Sequence, residues 1–321
     1  MKGLAALAGL AAVVAVAGFS GAGERPEDAP AFEGGVYSTR DGARLPVTTW
    51  EPRGSDAQGA VIALHSFGDF RLAFSELGPR LAAAGFRVHA FDQRGFGETM
   101  ADGRWAGEER LVSDALDFYG LIRESGNAPV YLLGESMGGS IALLVAARQV
   151  DDPPDGLVLA APGVREGIPF RRGWDVLLWL GERLAPALSI SLSRDYTGQL
   201  HRAAVERFRD DPRVMRRVRL DTYAGLVRLA DDATEVAGQV GSPVLLLYGD
   251  ADGMVRPEAI CGLHQGLAGP SRLEVTSRDP HLVLQTPDHP LKAALIVEWL
   301  AGGPNARNSN RGAASGCPGV R

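Results

Sequence analysis

Three residues in this chain have the types and order needed to activate a hydroxyl group: Ser136, a carboxylate near residue 250, and His281. A serine hydroxyl is a weak nucleophile until a base takes its proton and a third group orients that base. Ser136 stands in Gly134-Glu135-Ser136-Met137-Gly138, a G-x-S-x-G pattern with apolar runs over 130–133 and 141–147 on either side. A strand, a tight turn and a helix would put the serine at the apex of a nucleophile elbow. Small residues are needed at Gly134 and Gly138, because the turn crowds the strand against the helix. The serine sits in a strained backbone region, which costs on the order of 1–3 kcal/mol. In return, the helix N-terminus faces any negative charge that forms beside it. Asp252 follows an apolar run over 244–248, and His281 follows a strand-like stretch over 271–276. Asp250 is a rival acid, and either carboxylate could simply cap the helix that follows.

The elements that position these residues alternate. A two-stranded hairpin is expected over 35–39 and 45–50, turning at Asp41-Gly42. The apolar runs 59–64, 130–133, 156–162 and 244–248 have the composition of buried strands, and 87–91 is expected as a further strand. Between them, 77–84 and the 3.6-residue spacing of Val112, Ala115, Leu116, Tyr119 and Ile122 predict helices. Strands alternating with helices imply βαβ units, hence an α/β fold with a mostly parallel central sheet flanked by helices. Ligands in such sheets lie beyond the carboxyl ends of the strands. His65, Asp92 and Ser136 all fall at such ends.

The rhythm breaks after Pro162. Residues 163–232 are expected to form a helical cap inserted between two parts of the core, 35–162 and 233–301. Within it, 174–184 is apolar almost all round. The stretch 214–229 is expected to be an amphipathic helix with Arg213, Arg216, Arg217 and Arg219 on or beside its polar side. That basic face is either solvated or drawn to anionic head groups. Residues 1–22 carry Met1-Lys2 and an apolar run over 4–19, the pattern of a signal peptide or N-terminal anchor. Export to the periplasm or beyond, with or without an inner-membrane anchor, is therefore expected. Residues 23–34 form a linker rich in Pro, Gly and acid, and 302–321 a disordered tail. A net charge of −6 argues against a nucleic-acid partner. With two cysteines, Cys261 and Cys317, the second in that tail, no disulfide is expected and stability must come from packing. No His, Cys, Asp or Glu set has metal-ligand spacing.

Taken in series, His65-x-x-Gly68-Asp69, Asp92-x-Arg94-Gly95-x-Gly97, Trp105-Ala106-Gly107-Glu108-Glu109 and Gly134-x-Ser136-Met137-Gly138-Gly139 resemble the signatures of the α/β-hydrolase superfamily. They are most similar to its monoacylglycerol lipase and lysophospholipase branch, including bacterial members. The resemblance implies Ser136 as nucleophile, Asp252 as the acid counted from Gly249, and His281 as base, with no cofactor. It implies a small-molecule lipid ester as substrate and an apolar cap over the site; association with a membrane surface is a further candidate that rests on the basic face of the cap. Of the two backbone N–H donors an oxyanion hole needs, one is expected at Met137, the residue after the nucleophile. The resemblance places the other at Phe67. One departure is Ser66, where the family usually has Gly after the first His, so His65 and Ser66 are candidates for shaping the loop or pocket. Phe67 and Phe70 are candidates to line an acyl channel. Of the six histidines, His65 is expected to shape its turn and His89 to lie within a strand. His201, His264 and His289 are expected at the surface. A serine nucleophile argues against the dehalogenase and epoxide hydrolase chemistries of this fold. Hydrolysis of small soluble esters, acyl transfer to another alcohol, and a non-catalytic binding role remain open. Acyl chain length, head group and oligomeric state are not set by the sequence.

Overall fold

The computed structural model describes residues 29–302, apart from 55, 102, 127, 166–172 and 193–195, together with Cys317. The expected signal segment 1–22 and nearly all of the expected tail lie outside the described residues.

Among the described residues a nine-stranded sheet runs in the order β1-β2-β3-β5-β4-β6-β7-β10-β11. Its members are β1 (Ala31–Glu33), β2 (Val36–Ser38), β3 (Arg44–Trp50), β4 (Gly59–Leu64), β5 (Phe86–Phe91), β6 (Val130–Glu135), β7 (Gly156–Ala160), β10 (Val244–Gly249) and β11 (Ser271–Thr276). From β5 to β11 all neighbours are parallel, while β1, β2 and β3 add an antiparallel edge. Every residue of β4, β6, β7 and β10 is buried, which is why these strands are continuous apolar runs without alternation. Cutting a core side chain such as Ile62, Leu133 or Leu246 back to alanine costs about 2–5 kcal/mol.

The flanking helices are α1 (Leu77–Ala83), α2 (Glu108–Glu124), α3 (Met137–Arg148), α7 (Pro257–Gly266) and α8 (His289–Ala301). The cap contributes α4 (Gly173–Leu184), β8 (Ser189–Ser191), α5 (Arg202–Asp210), β9 (Arg217–Arg219) and α6 (Leu220–Glu235).

Four expectations need correction. The linker assigned to 23–34 contains β1, which pairs Phe32 with Tyr37 and sets the Phe32 ring edge-on to Phe118 and His89. The helix expected over 214–229 begins only at Leu220. Val218 is buried between more exposed arginines, a two-residue period, and β9 pairs with β8. Part of the expected basic face is paired: Arg213 with Asp211 and Glu98, and Arg219 with Asp221, while Arg216 keeps its charge and donates to the Arg209 carbonyl. Helix α6, placed with the cap by the 163–232 boundary, packs its buried face (Ala224, Leu229, Ala230, Ala233) against α3 and α2 and so serves the core.

The fourth concerns the cysteines. Cys261, buried in α7, forms a disulfide with Cys317 across 56 residues. Cys317 is therefore tied to the helix between β10 and β11, a pairing that two isolated cysteines do not announce.

Candidate active site

The elbow forms because β6 ends where α3 begins. Ser136 occupies the single residue between them with φ 54° and ψ −116°, a left-handed region that side chains other than glycine rarely adopt. Surrounding bonds hold it there. Its N–H donates to the Ala160 carbonyl at 2.9 Å, and its carbonyl accepts from Gly139 and Gly163 N–H at 2.8 and 2.9 Å. A Cβ on Gly134 would collide with the backbone of Gly138, and one on Gly138 with the carbonyl of Leu64. The glycines are thus required by close approach of β4, β6 and α3.

His281 arrives from the loop after β11 and Asp252 from the loop after β10. His281 Nε2 lies 2.7 Å from Ser136 Oγ, and its Nδ1 lies 2.8 Å from Asp252 Oδ2. The Asp252 carboxylate is wholly buried and the imidazole 8% exposed. Asp252 Oδ1 accepts from Met254 N–H at 2.7 Å and Val255 N–H at 3.0 Å, so the carboxylate plane is fixed independently of the histidine. Bonded in this way, His281 carries its proton on Nδ1 and turns the Nε2 lone pair to the serine. Asp250 points elsewhere: it is exposed and accepts from Arg278 N–H. Its role is to close the turn at Arg278, which has φ 62°.

Other bonds lock the two loops together. Ala251 N–H donates to the Asp279 carbonyl at 3.1 Å. Lys292, 3% exposed in α8, reaches Asp279 on one side of His281 and Thr286 and Asp288 on the other. A buried ammonium with three oxygen partners holds both ends of the histidine loop.

Met137 is the first residue of α3, where the backbone N–H has no intrahelical acceptor, and it directly follows the serine. Phe67 lies in the turn after β4, 9% exposed, with its ring edge-on to Phe96. His65 is fully buried. Its Nδ1–H donates to the Ser66 carbonyl and its Nε2 accepts from Gln93 N–H, so both nitrogens are occupied. Burial holds it below the ordinary histidine range, in its neutral form. It shapes the turn, as expected, and Ser66 lies buried within the same turn. Asp92 accepts from Arg71 and from Glu98 N–H and braces neighbouring loops.

Phe70 departs from the expected acyl channel. It is fully buried in a separate cluster with Leu200, Ala204, Phe208, Val214 and Leu282, where α5 meets the histidine loop. His289, expected at the surface, is 8% exposed and stacks near His201, which itself caps α5 by accepting from Ala204 N–H. A set of buried polar residues has no counterpart among the sequence motifs: Glu135, Arg207, Gln285 and Lys292. One signal was available. A glutamate closing an apolar strand, immediately before the elbow serine, requires buried hydrogen-bond donors. Glu135 has them, yet burial still pushes its carboxyl up to about 7.

The chain is similar to known proteins over most of its length. An abhydrolase domain-containing protein of Dictyostelium discoideum is 26% identical over 227 residues, 69% of this chain and 24% of that protein. The caffeoylshikimate esterase of Arabidopsis thaliana is 23% identical over 284 residues, 82% of this chain and 84% of the esterase. Thus the chain spans about a quarter of the first relative and most of the second. The crystal structure of the monoacylglycerol lipase of Paleococcus ferrophilus superposes with a TM-score of 0.67 at 25% identity, covering 80% of this chain and 98% of the lipase. The family described as serine aminopeptidase, S33 (Hydrolase_4) matches residues 55–287, a span that holds the elbow, Asp252 and His281. The parallel sheet, the elbow at the end of β6 and this match agree: the chain belongs to the serine aminopeptidase S33 family of α/β hydrolases.

Proposed function

We propose that the protein is a serine hydrolase of carboxylic esters, acting on monoacylglycerol- or lysophospholipid-type substrates through an acyl-enzyme on Ser136. The observation that carries this reading is the unbroken relay Ser136–His281–Asp252, with spacings of 2.7 and 2.8 Å. Ser136 Oγ attacks the ester carbonyl as its proton passes to His281 Nε2, and Asp252 stabilises the imidazolium. The oxyanion is met by the N–H groups of Met137 and Phe67. Collapse of the tetrahedral intermediate releases the alcohol, which takes the proton from His281. Water, deprotonated by the same nitrogen, then attacks the acyl-enzyme and frees the acid and Ser136. No cofactor enters any step.

The cap supports a lipid substrate. Helix α4 and the segment after it leave Leu177 57%, Leu184 82% and Leu188 56% exposed, with Val176, Trp179 and Ile190 also open to solvent. A water-exposed side of this composition suits a membrane surface from which a single-chain ester would enter. Among the described residues no helix is long and apolar enough to cross a membrane. Export, expected from the apolar N-terminal run, is supported by the Cys261–Cys317 disulfide, since such bonds persist in oxidising compartments.

The test is a ladder of p-nitrophenyl esters from acetate to palmitate, followed by monoacylglycerols and lysophospholipids, with Ser136→Ala alongside. A Ser136-dependent preference for medium or long chains is expected. Activity confined to acetate would indicate a small-ester hydrolase. Turnover of aminoacyl p-nitroanilides instead would favour the peptidase activity in the family's description. Vesicle binding gives a second prediction. Replacing Leu177 and Leu184 together by serine should weaken co-sedimentation with phosphatidylcholine vesicles by about tenfold or more, given about 1.5–3 kcal/mol per buried leucine. Hydrolysis of p-nitrophenyl acetate should be unchanged. Equal binding by the variant and the unmodified protein would remove α4 as the docking face.

A further inference from the structure

Beneath the triad lies a buried polar cluster that acyl transfer itself does not consume. Glu135 is fully buried. Its Oε1 accepts from Leu284 N–H at 3.0 Å and its Oε2 from Gln285 Nε2 at 2.6 Å. Asp69, two residues past Phe67, is also fully buried. The cation that meets Asp69 comes from the cap. Arg207 in α5 donates from Nε and Nη2 to the two Asp69 oxygens, each at 3.1 Å, while Nη2 also reaches Gln285 Oε1. Two backbone bonds run alongside, Met215 N–H to the Gly68 carbonyl at 2.9 Å and His201 N–H to the Gln285 carbonyl at 2.8 Å.

The geometry has a directional logic. An amide offers oxygen on one side and NH2 on the other. Because Arg207 engages Gln285 Oε1, the amide nitrogen must face the carboxylates, where it donates to Glu135 and, at 3.3 Å, to Asp69. One guanidinium therefore fixes two things at once. It fixes the Asp69 end of the turn that carries Phe67, and the orientation of Gln285 in the turn that follows His281. An ion pair serving the cap alone would need no contact with Gln285.

We propose that Arg207 is a positioning residue for acyl transfer: by holding Asp69 and Gln285 in one fork, it sets the Phe67 turn and the His281 loop at their working separation and so couples seating of the cap to catalysis. The proposal rests on the reading of Ser136 as nucleophile. It also divides the cap. The half built on α5 is fastened to the floor of the site, whereas α4 is held by the Arg165–Asp175 and Arg228–Glu182 pairs nearer the surface.

The test compares Arg207→Met, Arg207→Lys and the double variant Arg207→Met/Asp69→Asn on p-nitrophenyl acetate, with thermal unfolding of each. Displacement of the reacting groups should lower kcat of Arg207→Met by about 10- to 100-fold, with KM within about threefold. Arg207→Lys keeps the charge without the fork and should recover only part of kcat. The double variant removes the unpaired buried carboxylate, so its melting temperature should return toward that of the unmodified protein while kcat stays low. It also carries the test if Arg207→Met does not fold. Full recovery of kcat in the double variant, or a rise in KM alone in Arg207→Met, would overturn the proposal and leave the pair a structural one. Failure of the unmodified protein to show any Ser136-dependent turnover would be distinct: it would remove the esterase reading first and this proposal with it.

Discussion

Replacing Ser136 by alanine is expected to lower kcat by about a millionfold and Asp252 by asparagine about ten-thousandfold, with Asp250→Asn within about twofold of the unmodified protein. The serine figure follows from its place as the atom that forms the covalent bond. The difference between the two aspartates follows from what each oxygen touches. Asp252 Oδ1 is committed to the N–H groups of Met254 and Val255, so the oxygen of an asparagine would take that position and its NH2 would face His281. The imidazole would then have to accept at Nδ1 and hold its proton on Nε2, pointing it at the serine it should deprotonate. Among the described residues the Asp250 carboxylate accepts from Arg278 N–H and not from His281, so neutralising it touches no tautomer. Kinetics on a medium-chain p-nitrophenyl ester, corrected for active fraction by titration with a fluorophosphonate, would separate the three. A loss in Asp250→Asn that matches Asp252→Asn would mean the acid has been misassigned.

A second large effect is expected on stability rather than rate. Burial pushes the Glu135 carboxyl up to about 7 against an ordinary value of 4.5. The folded state therefore binds this proton more tightly than the unfolded chain. Its contribution to stability is fully present below pH 4.5 and is lost as pH rises through 7. Between pH 5 and 8 the loss amounts to about 2–3 kcal/mol. Glu135→Gln cannot ionise and should lack this component. Denaturant unfolding of the two proteins at pH 5, 6, 7 and 8 should show curves that converge or cross in favour of the variant toward alkaline pH. Parallel curves over that range would show that Glu135 stays ionised throughout, with Leu284 and Gln285 sufficient to solvate it.

Much of this molecule is legible from residue patterns, and the parts that are not share a cause. The buried strands β4, β6, β7 and β10 announce themselves as apolar runs, and the elbow as glycines around a serine, because both signals are local in sequence. Ser136, Asp252 and His281 form a hydrogen-bonded relay, and each is found in sequence just beyond its own strand. Pairings over long separations do not appear in such patterns. Arg207 meets Asp69 across 138 positions, and Glu135 meets Gln285 across 150. Arg207 in isolation is indistinguishable from the exposed arginines beside it, and His289 gives no sign that α8 turns it inward. Strand β9 leaves little trace in the sequence because three residues are too few for a two-residue period to outweigh the helical spacing that follows. Cys317 pairs with Cys261 across 56 residues, a separation no local window contains.

The way the chain leaves and rejoins the sheet bears on how such an enzyme can change. It departs after β7 and returns as β10, and these are adjacent parallel strands with Leu157 in register with Val244. Ala161 N–H even donates to the Leu247 carbonyl at 2.8 Å, so the exit is fastened to the strand of re-entry. Apart from α6, which packs on α3 and α2, what is spliced between them rests on strands that pair without it. Lids of different length, and hence different substrate appetites, can be exchanged at this seam while the reacting groups stay in place. The exchange has one condition: a transplanted lid must bring its own cation to Asp69.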